Sequence, residues 1–440
     1  MDGVTLTPLR RIPSEKGDVL HGMKATEATF SGFGEAYFTQ IRPGCTKGWK
    51  RHNRMTLNLV VVHGMVKFVI YDEYNKCFEE FVLSPESNYQ RLTIAPGLWM
   101  AFHGMGDEVS TVMDIIPEPH DPGEADNKQL IDLEYQFWFM RIALTGITGF
   151  VGQNLMPIII KECPDVEIIT INIESDIEKA QKMYAWPCCQ HILTTELDKL
   201  IGFNPEIVLH LATVSTERND TEVIHPMLVA NIEFGVLLLD SLTRCNNLRL
   251  FVNTGSFAEY RFGPSQINDA YLYAATKSAF RHFCDYYSQL KGFHYLTVVP
   301  YSIYGGKPTV KRLMDYIIES LESEVSIDMT AGEQILDFTH VDDLAGFYVH
   351  ILKNKTLFYN LENGEEFHIG TGKGTTIREL VSIVERVYGK RCNINFGGRP
   401  YRERDTMHAV APIAKNLNLV NWRAKILLEY GINMMKNQNG

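Results

Sequence analysis

Short runs of apolar and β-branched residues, separated by turn residues, fill the first quarter of the chain. They lie between about Thr29 and Ile116, and no helical period is strong there. The runs are EAYFTQI, LNLVVV, VKFVIYDE, EEFVLS, YQRLTIA and STVMDII. Short strands spaced in this way predict an all-β sandwich or barrel. The acidic, proline-bearing segment 117–134 predicts the boundary of this domain.

The pattern changes at Met140, where buried strands begin to alternate with helical stretches. The strand-like runs are MRIALTG, VEIITIN, PEIVLHLA, LRLFVNTGS and FHYLTVVP. This alternation predicts a parallel sheet with right-handed crossovers. From about Tyr304 the pattern is mixed, with helices expected near 311–323 and 375–389, as is typical of a substrate lobe over the carboxyl edge of the sheet. We therefore predict two domains, 1–138 and 139–440, with the lobe starting near residue 304.

Charge and composition exclude several classes of protein. The 440 residues include 42 Lys and Arg against 53 Asp and Glu, a net charge of -11 without a basic run, which argues against a nucleic-acid partner. The eight cysteines form no C-x-x-C pair, which favours reduced thiols and a cytoplasmic location. The uncharged stretch Ile142–Ile160 contains three glycines and Pro157, so a membrane-spanning helix is not expected.

A glycine-rich turn, TGITGFVG at 145–152, follows a predicted strand and opens a predicted helix. Gly146 permits a tight turn, Gly149 lets the backbone approach a pyrophosphate, and Gly152 allows close helix packing. The helix N-terminus offers free N–H groups and a favourable dipole to phosphates. The turn therefore predicts dinucleotide binding. The acid that usually binds the adenosine ribose falls on Asn172, and no Arg follows, so NAD and NADP both stay open.

Two further segments carry candidate proton chemistry. Tyr273 and Lys277 are four residues apart on a predicted helix, so their side chains share one face. The lysine charge is expected to lower the pKa of the phenol, which could then exchange a proton with a sugar hydroxyl or carbonyl. Ser256, at the end of a predicted strand, could donate a hydrogen bond to the same oxygen. Taken alone, the Tyr273–Lys277 face could be a solvated helix face and Ser256 an ordinary turn serine. Their occurrence in this order after the glycine turn favours a catalytic role.

Together these segments resemble the extended short-chain dehydrogenase/reductase family, in its nucleotide-sugar epimerase/dehydratase branch. The resemblance covers Met140 to about Lys425 and includes HLATVS, VVPYSIYGG, FHIGTGKGTTIREL and RPYRERDTM. It implies that Ser256, Tyr273 and Lys277 are the catalytic trio. It also implies NAD(P) on one set of residues and a nucleotide sugar on another. The cofactor set is Gly146, Thr148, Gly149, Phe150, Val151, Gly152, Asn172, Leu211, Ala212, Lys277 and Pro300, and the substrate set is Thr213 and Arg402.

Two departures from that branch are informative. Its 4,6-dehydratases carry an Asp–Glu pair directly after the catalytic hydroxyl residue, where this chain has Phe257 and Ala258. Eliminating water needs an acid and a base there, so dehydratase activity is not expected. Leu336 also replaces an Arg that usually contacts phosphate. Reduction of a 4-keto sugar, or 4-epimerisation, needs only the trio and the nicotinamide.

The first domain resembles the cupin family, through KGWKRHNRMTLNLVVVHGMVKFVIYDE and IAPGLWMAFHGMGDE. The closest group is the sugar-nucleotide 3,5-epimerases (dTDP-4-dehydrorhamnose epimerase-like) and ketoisomerases. Lys50 and Met100 stand at the places of that group's two hallmark histidines. Lys50, His52 and Arg54 therefore predict either an electropositive pocket that binds a nucleotide sugar or, with Lys50 as the base, an epimerase or isomerase. Only His52 fits the metal-binding cupin pattern, so no metal is expected.

The sequence thus predicts a soluble fusion of an all-β cupin jelly roll with an α/β Rossmann fold that carries a small C-terminal substrate lobe. The expected activity is NAD(P)H-dependent C4-ketoreduction of an NDP-4-keto-6-deoxy sugar, with C3 or C5 epimerisation in the cupin as an open addition. Two alternatives stay open: an NAD-dependent 4-epimerase with a non-catalytic cupin, and a nucleotide-sugar sensor or scaffold. A homodimer is expected, without nucleic-acid or membrane partners.

Overall fold

The computed structural model describes residues 1–42, 45–105, 108–133, 135, 140–163, 166–186, 189–216, 218–306 and 310–439. The chain divides into two compact units. The first is formed mainly by residues 1–139 and the second mainly by residues 140–440.

The first unit consists of β-strands and two short 3₁₀ turns, Pro122–Glu124 and Leu130–Asp132. The strands are β1 (Val4–Pro8), β2 (Arg11–Ile12), β3 (Val19–Leu20), β4 (Glu35–Ile41), β5 (Thr46–His52), β6 (Leu57–His63), β7 (Met65–Asp72), β8 (Cys77–Leu83), β9 (Gln90–Ile94), β10 (Trp99–Met105), β11 (Ser110–Ile116) and β12 (Ala125–Asn127).

Two five-stranded antiparallel sheets form the body of this unit, in the orders β1-β9-β6-β11-β4 and β12-β5-β10-β7-β8. Strand β4 shows the alternation that builds them, because Tyr37, Thr39 and Ile41 are turned inward and the residues between them are exposed. Apolar side chains such as Phe68 and Leu92 fill the core. The all-β prediction is confirmed, and the assignment to the cupin jelly roll stays a prediction.

The second unit alternates strands with helices around a seven-stranded sheet. Its first part contains β13 (Met140–Thr145), α1 (Phe150–Glu162), β14 (Val166–Asn172), α2 (Glu174–Met183), β15 (Cys189–Leu193), α3 (Lys199–Phe203), β16 (Ile207–His210), α4 (Thr221–Leu228), a π turn (Val229–Glu233), α5 (Phe234–Leu242), β17 (Leu250–Thr254), a 3₁₀ turn (Phe257–Glu259), α6 (Leu272–Lys291) and β18 (His294–Pro300).

The remaining elements form the lobe and return once to the sheet. They are β19 (Ser302–Tyr304), α7 (Leu313–Glu319), β20 (Ile327–Met329), β21 (Ile335–His340), α8 (Val341–Lys353), α9 (Lys355–Tyr359), β22 (Glu365–Ile369), β23 (Gly374–Thr376), α10 (Ile377–Tyr388), β24 (Ile394–Phe396), β25 (His408–Ala409), α11 (Ala414–Val420) and α12 (Leu428–Asn439).

The strand order of the large sheet, β15-β14-β13-β16-β17-β18-β22, reverses direction after β13. The described pairings in this sheet are parallel. This is the doubly wound order, in which ligands bind outside the carboxyl ends of the strands near the reversal. The predicted Rossmann fold is confirmed. In the lobe, α7 and α10 fall within the two stretches where helices were expected.

One described helical stretch, Thr221–Leu242, is long and apolar enough to cross a membrane by length and composition alone. Leu238, Leu239 and Leu242 of this stretch pack into the core around the sheet. Core helices of soluble proteins share this length and composition, so a single stretch of this kind is weak evidence for a membrane span.

Candidate active site

The glycine turn after β13 forms a backbone cradle. Gly146 has a φ of +72°, and a Cβ placed there would lie 2.7 Å from the backbone nitrogen of Ala212. A Cβ on Gly152 would lie 2.3 Å from the carbonyl oxygen of Gly146. Gly149 is the N-cap of α1, where no side chain caps the helix and its first turn has no acidic residue. The free N–H groups at this helix start therefore fit a pyrophosphate.

The loop after β16 lies beside this cradle. The hydroxyl of Thr145 accepts hydrogen bonds from the backbone N–H groups of Leu211 and Ala212 at 3.1 and 3.0 Å. The hydroxyl of Thr213 donates to the amide oxygen of Asn231 at 2.9 Å. Thr145 thus fixes Leu211 and Ala212 next to the glycine turn, and Asn231 fixes Thr213.

Asn172 ends β14, as the sequence suggested, but its amide N–H groups are used inside the sheet. They donate to the carbonyl oxygen and hydroxyl of Thr170, at 3.2 and 2.9 Å, and to the carbonyl oxygen of Ile192 at 3.4 Å. The Asn172 side chain is buried. Its N–H groups are therefore committed to holding two neighbouring strands together.

Asp176, in the first turn of α2, is the acidic side chain that contacts the glycine turn. It accepts a hydrogen bond from the hydroxyl of Thr148 at 2.5 Å. The ammonium of Lys179 donates to the carbonyl oxygen of Thr148 at 3.4 Å. Sequence reasoning missed both residues, because the contacts span 28 and 31 positions and depend on how α2 packs.

Tyr273 and Lys277 lie on one face of α6, as their spacing predicts. The Lys277 ammonium is 5.9 Å from the centroid of the Tyr273 ring. Both side chains are buried, with 8% and 2% of their surfaces exposed. No hydrogen bond or ion pair holds Lys277 to another side chain within the described part of the chain.

Burial sets the protonation of this pair. It raises the pKa of Tyr273 to about 12, and the charge of Glu259 acts in the same direction, while the hydroxyls of Ser215 and Thr213 act against it. Burial also lowers the pKa of Lys277 to about 8. The expectation that Lys277 lowers the pKa of the phenol is therefore wrong for this cleft, because the loss of hydration dominates.

Ser256 follows β17 and caps the 3₁₀ turn Phe257–Glu259. Its hydroxyl accepts from the backbone N–H of Ala258 at 3.2 Å, and its own backbone N–H donates to Glu259 at 2.6 Å. Glu259 in turn binds Arg281 at 2.7 Å. No hydrogen bond joins Ser256 directly to Tyr273 among the described residues, so their common target would be a substrate oxygen.

The two residues after Ser256 carry no acid or base. Phe257 stacks on Tyr301 with ring centroids 5.8 Å apart, and Ala258 is fully buried. The nearest carboxyl along the chain, Glu259, is occupied by its contacts with Arg281 and the serine backbone. The site therefore lacks the pair that elimination of water requires.

The other expected contacts lie on separate elements of the second unit. Phe150 and Val151 form the first turn of α1, and Pro300 ends β18 beside Ile369 of β22. Arg402 lies in an exposed segment of the lobe.

Arg312 was not expected from the sequence. Its guanidinium lies 4.3 Å from the ring centroid of Phe150, and its charge favours the ionised form of Tyr273. It is therefore a cation next to the first residue of α1 whose charge acts on the candidate proton donor.

The first unit holds a cavity of about 560 Å³, lined by residues from both of its sheets. Lys50, His52 and Met100 line it, but Arg54 does not. Arg54 is instead exposed and paired with Glu118 and Asp121, at 2.9 and 3.0 Å. The expectation that Arg54 makes the pocket electropositive is therefore wrong, because two surface carboxylates neutralise it.

His52, the third residue of the predicted electropositive pocket, is paired with a carboxyl group. Its Nδ1 lies 2.6 Å from a carboxyl oxygen of Glu124, and both side chains are buried. Burial lowers the pKa of His52 despite that partner. Among the described residues, no group of three or more His, Cys, Asp or Glu side chains could hold a metal ion.

Two proteins named CDP-abequose synthase are each 27% identical to the chain. The one from Yersinia pseudotuberculosis matches over 288 residues, 65% of this chain and 96% of the relative. The one from Salmonella typhimurium matches over 301 residues, 66% of this chain and 95% of the relative.

A solved structure shares the fold of the second unit. It is UDP-glucuronic acid 4-epimerase from Bacillus cereus in complex with UDP-glucuronic acid and NAD, with a TM-score of 0.60 and 20% identity over 68% of this chain and 98% of that chain.

The profile of the NAD dependent epimerase/dehydratase family matches residues 142–370, from the strand before the glycine turn to the end of β22. This match confirms the prediction of an NAD(P)-dependent enzyme, with NAD and NADP both still open. The chain belongs to the NAD dependent epimerase/dehydratase family.

Proposed function

We propose that this chain is an NAD(P)H-dependent C4-ketoreductase of a nucleotide-linked 4-keto-6-deoxy sugar. The observation that carries the proposal is the buried Tyr273–Lys277 pair on α6, combined with Phe257 and Ala258 where elimination would need an acid and a base. The similarity to two CDP-abequose synthases supports a nucleotide-sugar substrate and the reductive reaction.

The backbone cradle of Gly146, Gly149 and Gly152 would hold the pyrophosphate of the cofactor, since α1 starts at Gly149 with N–H groups that no side chain caps. Asp176, beside Thr148, would bind the adenosine ribose. When bound, the nicotinamide supplies the hydride that reduces the carbonyl carbon.

Tyr273 would give the proton that completes the reduction. Its raised pKa, about 12, keeps the phenol protonated at neutral pH. As the C4 carbonyl oxygen gains negative charge, it takes the phenolic proton and becomes a hydroxyl. Lys277, whose pKa of about 8 lies near neutrality, can then return a proton to the phenolate. Ser256 would donate a hydrogen bond to the same oxygen, since among the described residues its hydroxyl accepts from Ala258 and donates to none.

The test uses the purified full chain, an NDP-4-keto-6-deoxyhexose, and NADH or NADPH. Reduced nicotinamide absorbance should fall in step with the formation of a C4 alcohol, read by NMR. Oxidation without a C4 alcohol, or no oxidation with any nucleotide base tried, would overturn the proposal.

A second candidate, the NAD-dependent 4-epimerase, is supported by a relative from Methanocaldococcus jannaschii named putative UDP-glucose 4-epimerase. It is 27% identical over 320 residues, 68% of this chain and 99% of the relative. Such an enzyme keeps its cofactor and inverts C4 without net oxidation. Inversion of a UDP-hexose by protein purified with bound NAD would favour it. A sensor without turnover would keep its ligand response in Tyr273→Phe, whereas either enzyme would lose activity.

We further propose a homodimer formed through α5 and α6. Leu237 on α5 and Tyr286 and Leu290 on α6 are large side chains that are 53%, 60% and 56% exposed, so both helices offer apolar surface to a partner. The cysteines that the structure describes are free, which supports a cytoplasmic location. Light scattering of the wild type and of Leu237→Glu tests the dimer.

A further inference from the structure

A buried carboxyl group links the turn after β17 to helix α6. Glu259 ends the 3₁₀ turn that follows Ser256, and its side chain is fully buried. One carboxyl oxygen accepts a hydrogen bond from the backbone N–H of Ser256 at 2.6 Å, and the other accepts from the Nε–H of Arg281 at 2.7 Å. Both partners are donors, which favours the ionised carboxylate. Glu259 is thus bound to the backbone of one candidate catalytic residue and to the helix that carries the other two.

Helix α6 carries two buried cations on one face. Lys277 and Arg281 are four residues apart, one helical turn, and only 2% and 8% of their surfaces are exposed. The hydroxyl of Ser278, the residue after Lys277, lies 3.3 Å from a carboxyl oxygen of Glu259. The Glu259 carboxyl therefore meets α6 at the turn that contains both cations.

The charges of this cluster balance. Arg281 also forms an ion pair with Glu366 of β22, which accepts a hydrogen bond from the phenol of Tyr260 at 2.5 Å. Two cations on α6 thus meet two carboxylates. A buried cation without an opposite charge is costly, and Lys277 forms no ion pair of its own in the part of the chain that the structure describes. Glu259 is the more deeply buried of the two carboxylates and is the one that can compensate Lys277.

The backbone before Ser256 leaves room for the ion pair. A Cβ on Gly255 would lie 2.6 Å from a carboxyl oxygen of Glu259 and 3.1 Å from a guanidinium nitrogen of Arg281. The pair therefore packs directly against the backbone of the turn that carries Ser256. Because no side chain lies between them, the position of the pair sets the position of the turn.

Three other titratable groups lie close to Lys277, and all are neutral near pH 7. Cys284 is on the same helix, and burial raises the pKa of its thiol. Burial lowers the pKa of His210 on β16 to about 3. The phenol of Tyr273 keeps its proton, since its pKa is about 12. The charge on Lys277 therefore depends on the ion pair beside it.

The two members of that pair act on Lys277 in opposite directions. Burial lowers the pKa of the ammonium to about 8, Glu259 raises it, and Arg281 lowers it. Burial also raises the pKa of Glu259, and the charge of Arg281 and the backbone N–H of Ser256 act against this. The contacts that fix Glu259 are thus the same contacts that favour its charged form.

We propose that Glu259 is a positioning residue for the reduction, whose carboxylate fixes the backbone of Ser256 and supplies the negative charge that compensates the Lys277 ammonium. Arg281 holds the carboxylate in that place. This role rests on the proposed ketoreduction, in which Ser256 donates to the carbonyl oxygen and Lys277 returns a proton to Tyr273.

The experiment measures the pH profile of keto-sugar reduction by the full chain. The wild-type rate should fall as pH rises through about 8, where Lys277 loses its proton. Glu259→Gln keeps the size of the side chain and an oxygen for the Ser256 N–H, but it removes the charge. The fall in rate should therefore move to lower pH by about one unit or more. An unmoved profile would overturn the proposal.

Glu366→Gln is the matched control, because it breaks the other ion pair of Arg281 and leaves Glu259 in place. Its pH profile should stay close to that of the wild type. A shift as large as that of Glu259→Gln would show a general effect of the Arg281 cluster and would overturn the specific role of Glu259.

Glu259→Asp separates position from charge. It keeps the carboxylate, so the pH profile should stay close to that of the wild type. Its side chain is one methylene shorter and cannot reach both Ser256 and Arg281, so kcat should fall by about tenfold or more. Full kcat in this variant would overturn the positioning of Ser256.

A further measurement needs neither turnover nor a folded variant at position 259. The isotope-labelled ε-carbon of Lys277, assigned by its loss in Lys277→Arg, reports the protonation of the wild-type protein by NMR. It should titrate near pH 8. Titration at about pH 7 or below, toward the range of buried lysines without an opposite charge, would overturn the proposal. Titration near pH 8 in a protein that reduces no keto sugar would overturn the ketoreductase alone.

Discussion

Each unit contains a tyrosine beside a partner that can carry charge, and the two partners have opposite signs. In the second unit the ammonium of Lys277 lies 5.9 Å from the ring centroid of Tyr273. In the first unit the phenol of Tyr37 donates to Asp114 at 2.9 Å. Burial raises the pKa of both phenols, so neither ionises near neutral pH.

Lys277 and Asp114, the partners of the two tyrosines, are the groups whose pKa values lie near neutral pH. The pKa of Lys277 falls to about 8 and that of Asp114 rises to about 7, each chiefly because of burial. A charged ammonium is a proton source, and an ionised carboxyl is a proton acceptor. The groups beside the two tyrosines therefore differ in the direction in which they can transfer a proton: the Lys277 ammonium can give one and the ionised Asp114 carboxyl can take one.

The largest expected effect tests the proton source. Tyr273→Phe removes the phenolic proton and should lower the rate of keto-sugar reduction by about 100- to 10,000-fold, as expected for a lost general acid. Nicotinamide fluorescence should show that cofactor binding is retained. Tyr286→Phe, on the exposed side of the same helix, is the control and should keep full activity. Reduction at the wild-type rate in Tyr273→Phe would remove Tyr273 from the reaction.

The second effect tests the titration of Asp114 through the pH dependence of protein stability. The folded pKa of Asp114 is about 7, above the unfolded value near 4, so the folded state keeps the proton longer and stability falls as pH rises from about 4 to 7. Asp114→Asn cannot ionise, so it should gain on the wild type over that window, by up to about 4 kcal/mol at pH 8. Urea unfolding of both proteins between pH 4 and pH 8 measures this.

Asp72→Asn should behave in the opposite way. Hydrogen bonds from Asn75 lower the pKa of Asp72, so its charged form stabilises the fold above the unfolded pKa. The Asn variant should therefore be less stable than the wild type at neutral pH. Equal pH dependence of the two variants would contradict the proposed difference between the two carboxyls.

The third effect tests the buried pair that supports Ser256. Glu259→Gln leaves the Arg281 guanidinium with one carboxylate fewer and should cost about 3 kcal/mol of unfolding free energy. Glu429→Gln breaks an exposed pair with Arg386, whose side chains are 57% and 60% exposed, and should cost less than about 1 kcal/mol. If denaturant titrations gave the same loss of unfolding free energy for Glu259→Gln and Glu429→Gln, Glu259 would not anchor the turn that follows Ser256.

The smallest effect tests the glycine cradle. Gly152→Ala places a Cβ 2.3 Å from a backbone oxygen and should cost about 2 kcal/mol while weakening cofactor binding. Gly202→Ala, on α3 with no atom within 4 Å of the added Cβ, should stabilise the protein by about 0.5 kcal/mol. Thermal unfolding and cofactor titration of both variants measure these effects. If Gly152→Ala matched the wild type in both, the glycine turn would tolerate a side chain at this position.

The sequence predicts the contiguous parts of both units well. The glycine turn and the Tyr273–Lys277 face can be predicted because turn and helix spacing alone bring those residues together. Contacts between residues far apart in the sequence cannot be predicted in this way. Tyr37 and Asp114 are 77 residues apart and meet only through the register of β4 and β11.

Burial is the other quantity that the residue pattern does not supply. It raises the pKa of Tyr273, where the spacing to Lys277 had suggested that the pKa would fall. Surface pairing likewise removes Arg54 from the cavity, because Glu118 and Asp121 bind it outside. Neither outcome follows from residue type and spacing.

The most direct test of the central claim follows the hydrogen carried by the reduced nicotinamide. The full chain receives NAD(P)H labelled with deuterium at the transferred position and an NDP-4-keto-6-deoxyhexose in ordinary water. Ketoreduction should place one deuterium at C4 of the product for each cofactor oxidised, and none at other carbons. An unlabelled product, or inversion at C4 with the labelled cofactor unconsumed, would contradict ketoreduction.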